Sequence, residues 1–166
     1  GLGGVALSNR ILLESDPTII GWRSLRNEEV FNLNESNVFH KDSRKYEIAT
    51  SCIPLMVGLR TSLELLEREG SEELRLLKIL KRSSYLWSEL NHINGINTLL
   101  NGFPPAGLIS FTMPKYSTSE IVNKLGEKKL WIRSLEGPEC LRACLHVMSE
   151  EEEINTLCRA INDLLR

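Results

Sequence analysis

An arginine in the middle of an apolar strand needs a reason to be there, and this chain has two. In Cys140-Leu141-Arg142-Ala143-Cys144-Leu145-His146-Val147, period-two alternation assigns Leu141, Ala143, Leu145 and Val147 to one face. Arg142, Cys144 and His146 take the other. The first set reads as core. On the second, a mid-strand charge is costly unless it is paired or meets an anion. Arg133 repeats the arrangement at the end of the preceding run, Leu130-Trp131-Ile132-Arg133. A guanidinium stays charged and offers a planar fork that matches a carboxylate. Two of them on one small sheet point to a site for an acid. Pairing of Arg142 with a nearby glutamate is the structural alternative.

Other reactive side chains cluster around the same stretch. Cys140 opens the strand, where a thiol has a chance of the accessible, electropositive setting that reactivity requires. His146 shares the arginine face, either as a structural strand residue or as a catalytic one. The acidic run Glu150 to Glu153 is explained by a helix N-terminus, so no metal site is expected.

The elements that must position these residues follow from periodicity and punctuation. Gly1 to Ser8 reads as a glycine-rich turn feeding a buried strand, Val5-Ala6-Leu7, and Pro17 to Ser24 as a second short strand ending on Gly21-Trp22-Arg23. Trp22 and Arg23 either line a pocket or pack as a ring under an arginine stem. Leu25 to Arg44 is polar and aperiodic, a long loop of the kind that often carries function. Lys45 to Thr50 leads into a helix capped by Ser51, with Pro54 in its first turn and a stripe of Met56, Leu59, Leu63 and Leu66 before Gly70. A second helix starts at Ser71 and is expected to bury Leu76, Leu77, Leu80, Trp87 and Leu90, ending near Asn94-Gly95. Ile96–Leu100 and Gly107–Met113 read as strands. Ser117 with Glu120, and Ser149 with Glu152, are capping boxes for two further helices.

From Ile96 onward the order is strand, strand, helix, strand, strand, helix. The predicted fold is α+β: a small antiparallel sheet with helices on one face and the arginines on the other, facing a further domain. A chain of 166 residues with 42% hydrophobic and 25% charged residues is typical of a globular protein. A net charge of -2 gives no reason to expect nucleic acid or an anionic membrane as partner. No apolar run approaches the roughly 20 residues that span a bilayer. Four dispersed cysteines without a CxxC pair are expected to stay reduced, as in a cytoplasmic chain. The start, Gly1-Leu2-Gly3-Gly4, reads as the middle of a longer protein.

Four segments in register carry a resemblance. GLGGVALS, PTIIGWRS, KYEIAT and CLRACLHVMSEEEEI, in this order and spacing, resemble the C-terminal part of class V aminotransferases. These are fold type I pyridoxal-phosphate enzymes that include cysteine desulfurases, cysteine and cystine C–S lyases and isopenicillin N epimerase-like proteins. The C–S lyase branch is the most similar. The resemblance covers essentially the whole chain. It implies an α/β large domain whose last part is residues 1–50, and a small α+β domain at 51–166 entered by a long linking helix.

The roles it implies can be given residue by residue. Arg142 matches the arginine that holds the substrate α-carboxylate, and Arg133 a second arginine near the substrate side chain. Thr50 falls where a threonine reaches the cofactor phosphate of the partner subunit, although Ala49 replaces the usual glycine before it. Lys45 stands where an arginine is usual. Trp22 and Arg23 match a segment bordering the active site. The Schiff-base lysine, the aspartate at the pyridine nitrogen and the stacking histidine are expected upstream of Gly1. Neither Lys41 nor Lys45 has the context of that lysine, so this piece alone is expected to be inactive. The complete enzyme is expected to be a cytoplasmic homodimer that acts on a small amino acid such as cysteine or cystine. Desulfurases carry a nucleophilic cysteine on a loop between the two arginine strands, whereas here the connection, Ser134 to Glu139, is short. A transaminase or epimerase of the same fold, or a non-catalytic α+β interaction module, are the alternatives.

Overall fold

The computed structural model describes residues 1–26 and 38–165. They divide into two compact units, Gly1–Leu65 and Leu66–Arg166. The division lies inside the helix Ile53–Arg68.

The first unit begins with α1 (Asn9–Glu14), where Ser8 Oγ accepts from Ile11 N. This helix was not legible in the sequence. The strands expected at Val5–Leu7 and Pro17–Ser24 do not form, because neither stretch finds a strand to pair with among the described residues. Val5 is 65% exposed. Trp22–Ser24 winds instead into a 3₁₀ turn, and Ser43–Tyr46 into another. Of the loop expected over 25–44, positions 27–37 lie outside the described residues; at its edges Leu25 and Phe39 form an isolated bridge. Helix α2 (Ile53–Arg68) has Pro54 in its first turn and starts after Cys52, so the expected Ser51 cap is displaced by one position. The stripe forms, yet α2 buries none of its residues: Met56, Leu59 and Leu63 all remain exposed.

The second unit holds α3 (Glu72–Asn91), β1 (Asn97–Thr98), β2 (Leu108–Thr112), α4 (Thr118–Glu127), β3 (Arg133–Glu136), β4 (Glu139–Cys144) and α5 (Glu151–Leu165). Gly70, at φ +108°, ends α2 in the left-handed region open to glycine. Ser71 then caps α3 by accepting from Leu74 N, with Glu72 and Glu73 in the first turn. The strands form one antiparallel sheet in the order β1-β2-β4-β3. Ile109, Phe111, Leu141 and Ala143 point to one face, where Leu86 and Leu90 of α3, Ile121 and Leu125 of α4, and Ile154 and Ile161 of α5 close over them. All three helices therefore cover the same side. Each large side chain so buried contributes about 1.5–3 kcal/mol.

Three expectations need correction here. Helix α3 buries Ser83, Leu86 and Leu90; Leu80 and Trp87 are only half-buried, and Leu76 and Leu77 stay exposed at 49% and 61%. The small Ser83, not among the positions expected to be buried, is fully buried, and its hydroxyl is satisfied by Leu80 O at 3.1 Å. The box predicted at Ser149 and Glu152 is shifted by one residue: Glu153 accepts from Glu150 N at 2.8 Å. Ser149 Oγ accepts from His146 N, and Glu152 pairs with Arg159. Strand β3 starts at Arg133, after the predicted Leu130-Trp131-Ile132 entrance.

Candidate functional site

In the second unit the site is built by register. Alternation along β4 sends Leu141 and Ala143 into the core and Arg142 to the uncovered face. Arg133 is the direct partner of Arg142 across the β3–β4 ladder, and Ser110 its direct partner across β2–β4. Leu145 N donates to Gly107 O, and Leu99 N to Ser110 O. Backbone bonds alternate sides along a strand, so Ser110 and Arg142 form a non-hydrogen-bonded pair, the closer type of cross-strand neighbour. One row across the open face thus reads Ser110, Arg142, Arg133.

Among the described residues neither arginine makes an ion pair. The glutamate alternative for Arg142 therefore finds no described partner. Like charges directly opposite each other are destabilising. A half-buried arginine facing an exposed one, on a face the helices leave bare, is suited to an anion with carboxylate geometry. Ser110 was not singled out from the sequence; its place in the alternation of Gly107–Met113 was the available signal.

The thiols differ from expectation. Cys140 is only 1% exposed and so lacks the access proposed for it. Cys144 is exposed, opposite Leu108. Cys158 is buried on α5, and desolvation pushes its thiol up to about 11. His146 Nδ1 accepts from Met148 N at 3.3 Å, which ties the imidazole to the turn before α5.

In the first unit two of the four quoted segments pack on each other. Ser24, fully buried, accepts from Gly21 N at 3.1 Å and donates to Glu47 O at 2.6 Å. Gly21 has to be glycine, because a Cβ there would lie 1.9 Å from Ile48 O. The Arg23 guanidinium stands 5.7 Å from the Trp22 ring centre and pairs with Glu47 at 3.3 Å. Both features match the packing account of Trp22 and Arg23, although Trp22 remains 41% exposed. Asp42 caps the 43–46 turn; hydrogen bonds from the Arg44 guanidinium and backbone N–H hold its carboxyl down at about 2. Lys45 is buried, and Thr50 is exposed outside regular secondary structure shortly before α2.

With this geometry established, similarity to other proteins becomes informative. A family profile described as aminotransferase class V matches residues 1–160. No curated protein sequence matches the chain. Among solved structures, C-DES in a lysine-to-alanine form with glycine covalently linked to its PLP cofactor is similar at 35% identity and a TM-score of 0.86, over 95% of this chain and 40% of that one. The complex of the cystine C–S lyase C-DES with its reaction product cysteine persulfide is similar at 36% identity and a TM-score of 0.84, over 95% of this chain and 41% of that one. The cysteine desulfurase CsdA from Escherichia coli, at 15% identity, shares the fold, with a TM-score of 0.80 over 95% of this chain and 41% of that one. The chain thus spans about 40% of the length of the C-DES structures it matches.

Proposed function

The chain belongs to the aminotransferase class V family, and on that premise we propose that it is the C-terminal portion of a pyridoxal-phosphate-dependent cysteine or cystine C–S lyase. The observation that carries the reading is the opposed pair Arg133 and Arg142 on the open sheet face. Arg142 holds the substrate α-carboxylate through its two-pronged fork. Arg133, its cross-strand neighbour, meets the far end of the substrate, and a second carboxylate there, as in cystine, would relieve the repulsion between the two guanidinium groups.

The residues of the first unit fit a supporting role toward pyridoxal phosphate. Thr50 offers an exposed hydroxyl that can donate to a phosphate oxygen. Lys45 cannot take the covalent role, since its ammonium is buried among backbone carbonyls. In this reading the Schiff-base lysine belongs to another part of the complete enzyme. When bound, the cofactor serves as an electron sink for bonds at the amino acid's α-carbon. What this chain contributes is orientation of the carboxylate and a second cation against the rest of the substrate. Partners in this reading are the large domain, against which the exposed apolar stripe of α2 packs, and a second subunit reached by Thr50. In this reading the complete enzyme is a homodimer of the cytoplasm; separately, no helix among the described residues is long and apolar enough to cross a membrane.

The lyase reading is preferred over a desulfurase because β3 and β4 join through Gly137-Pro138 alone, and Cys140 beside that turn is buried. The test is to incubate the complete enzyme with cystine and with cysteine and to assay pyruvate and persulfide or sulfide. Keto acid formed only in the presence of an amino-group acceptor would instead mark a transaminase.

A further inference from the structure

Among the described residues, Lys45 is the one charged side chain that is buried, at 4% exposure. An ammonium out of water is costly unless its donors are taken. Here two of its three donors are taken, by Leu12 O at 2.7 Å and by Ser15 O, and the Asp16 carboxylate stands nearby with Oδ1 at 3.8 Å. Leu12 and Ser15 belong to the last turn and C-cap of α1, where bare carbonyls favour a cation. The adjacent Tyr46 hydroxyl shares a 2.6 Å hydrogen bond with Ser15 Oγ. Further along, Glu47 is held by Ser24 and Arg23, and Ile48 O presses on Gly21. The ties end there, and Ala49 and Thr50 are exposed. On its N-terminal side the nearest described ties to Thr50 lie in this knot, and on its C-terminal side α2 begins at Ile53.

We infer that Lys45 is a positioning residue: it spends its charge on the end of α1 and thereby aims Thr50 at a phosphate it never touches. The inference rests on the phosphate role proposed for Thr50 and adds to it the residue on which that role depends. A lysine in direct contact with phosphate would present its ammonium at the surface, whereas that of Lys45 is buried with two of its three donors on backbone oxygens. Its effect on a ligand is therefore indirect and specific to the phosphate end.

The experiment compares pyridoxal phosphate with phosphate-free pyridoxal in the complete enzyme stripped of cofactor, reading dissociation constants by fluorescence. Lys45→Met keeps the stem and removes the donors. It should weaken pyridoxal phosphate by about ten- to a hundredfold, the loss of one hydrogen bond to a charged group, and pyridoxal by less than about threefold. Lys45→Arg, which keeps charge and donors, should recover part of the difference. Thr50→Val should show the same phosphate-selective loss. Equal weakening of both ligands by Lys45→Met makes the residue merely structural and overturns the inference, as does no weakening at all. If Thr50→Val alone is selective, the Thr50 role stands and the Lys45 inference falls. If Thr50→Val has no selective effect, the Thr50 reading itself fails. Should Lys45→Met not fold, Tyr46→Phe loosens the same knot more gently, and a phosphate-selective loss in the same direction is required of it.

Discussion

Arg133 and Arg142 are direct partners across the β3–β4 ladder, two cations side by side, and among the described residues neither makes an ion pair. Such a pair opposes folding by an amount on the order of 0.2–1 kcal/mol, the usual size of a cross-strand pair. The arrangement makes sense once an anion sits over it. In the complete enzyme, Arg142→Ala should raise KM for the amino acid by roughly ten- to a hundredfold. The melting temperature should stay level or rise slightly, because no ion pair is broken. Arg142→Lys keeps the charge without the fork and should recover only part of the binding. Unchanged KM in the alanine variant would remove the carboxylate role.

Gly21 is predicted to be intolerant of any side chain. The carbonyl oxygen 1.9 Å from the would-be Cβ is backbone, held where Ser24 and Arg23 fix the preceding Glu47. Gly21→Ala must push the two segments apart, at about 1–3 kcal/mol or more. Limited proteolysis should find the 38–50 region cut faster in the variant. Equal cutting rates would show that the contact gives way freely.

Thiol labelling should separate the four cysteines into two classes. Cys52 and Cys144 are exposed and should react with a maleimide or disulfide reagent within minutes, while Cys140 and Cys158 should react only after unfolding. Burial that pushes Cys158 up to about 11 keeps it a neutral thiol. A folded value raised above the unfolded one gives stability that is complete below the unfolded value, about 8.5, and is lost as pH rises toward 11. Stability should accordingly decline in alkali, and Cys158→Ala should flatten that decline. Mass spectrometry after labelling checks the first part, and urea titrations at two alkaline pH values check the second.

Helix α4 offers a test in acid. Ser117 and Glu120 cap each other reciprocally, and the hydrogen bond from Ser117 is the largest cause holding the Glu120 carboxyl below its usual range. Ser117→Ala should cost about 0.5–2 kcal/mol near neutral pH. A folded value lowered below the unfolded one gives stability that is present above the unfolded value, about 4.3, and lost as pH falls through the lowered one. The difference between wild type and variant in urea titrations should therefore shrink in acid. A difference that stays constant would mean that Glu120 has no part in the cap.

By itself the sequence determined what is local. Period-two alternation put Arg142 and Leu141 on opposite faces of β4, because successive side chains of a strand must diverge. Ser71 and Ser117 announced α3 and α4, since each needs only the N–H groups of its own first turn. The order of elements from Ile96 onward sufficed for a layer of helices on one face of an antiparallel sheet, with the arginines on the other.

Only the tertiary structure decided what depends on a partner distant in the chain. Register is one such matter: a slip of one residue would exchange the faces, and nothing within β2 or β3 alone names Ser110 and Arg133 as the neighbours of Arg142. The face of α3 is another, for Ser83 is buried and Leu77 bare because the sheet meets the helix along a line that leucine counting misplaces by a fraction of a turn. Lys45 is the extreme case. In the sequence it is a charged residue before a helix; in the fold it is buried against α1, because its carbonyl partners at Leu12 and Ser15 lie some thirty residues away, at separations of 33 and 30.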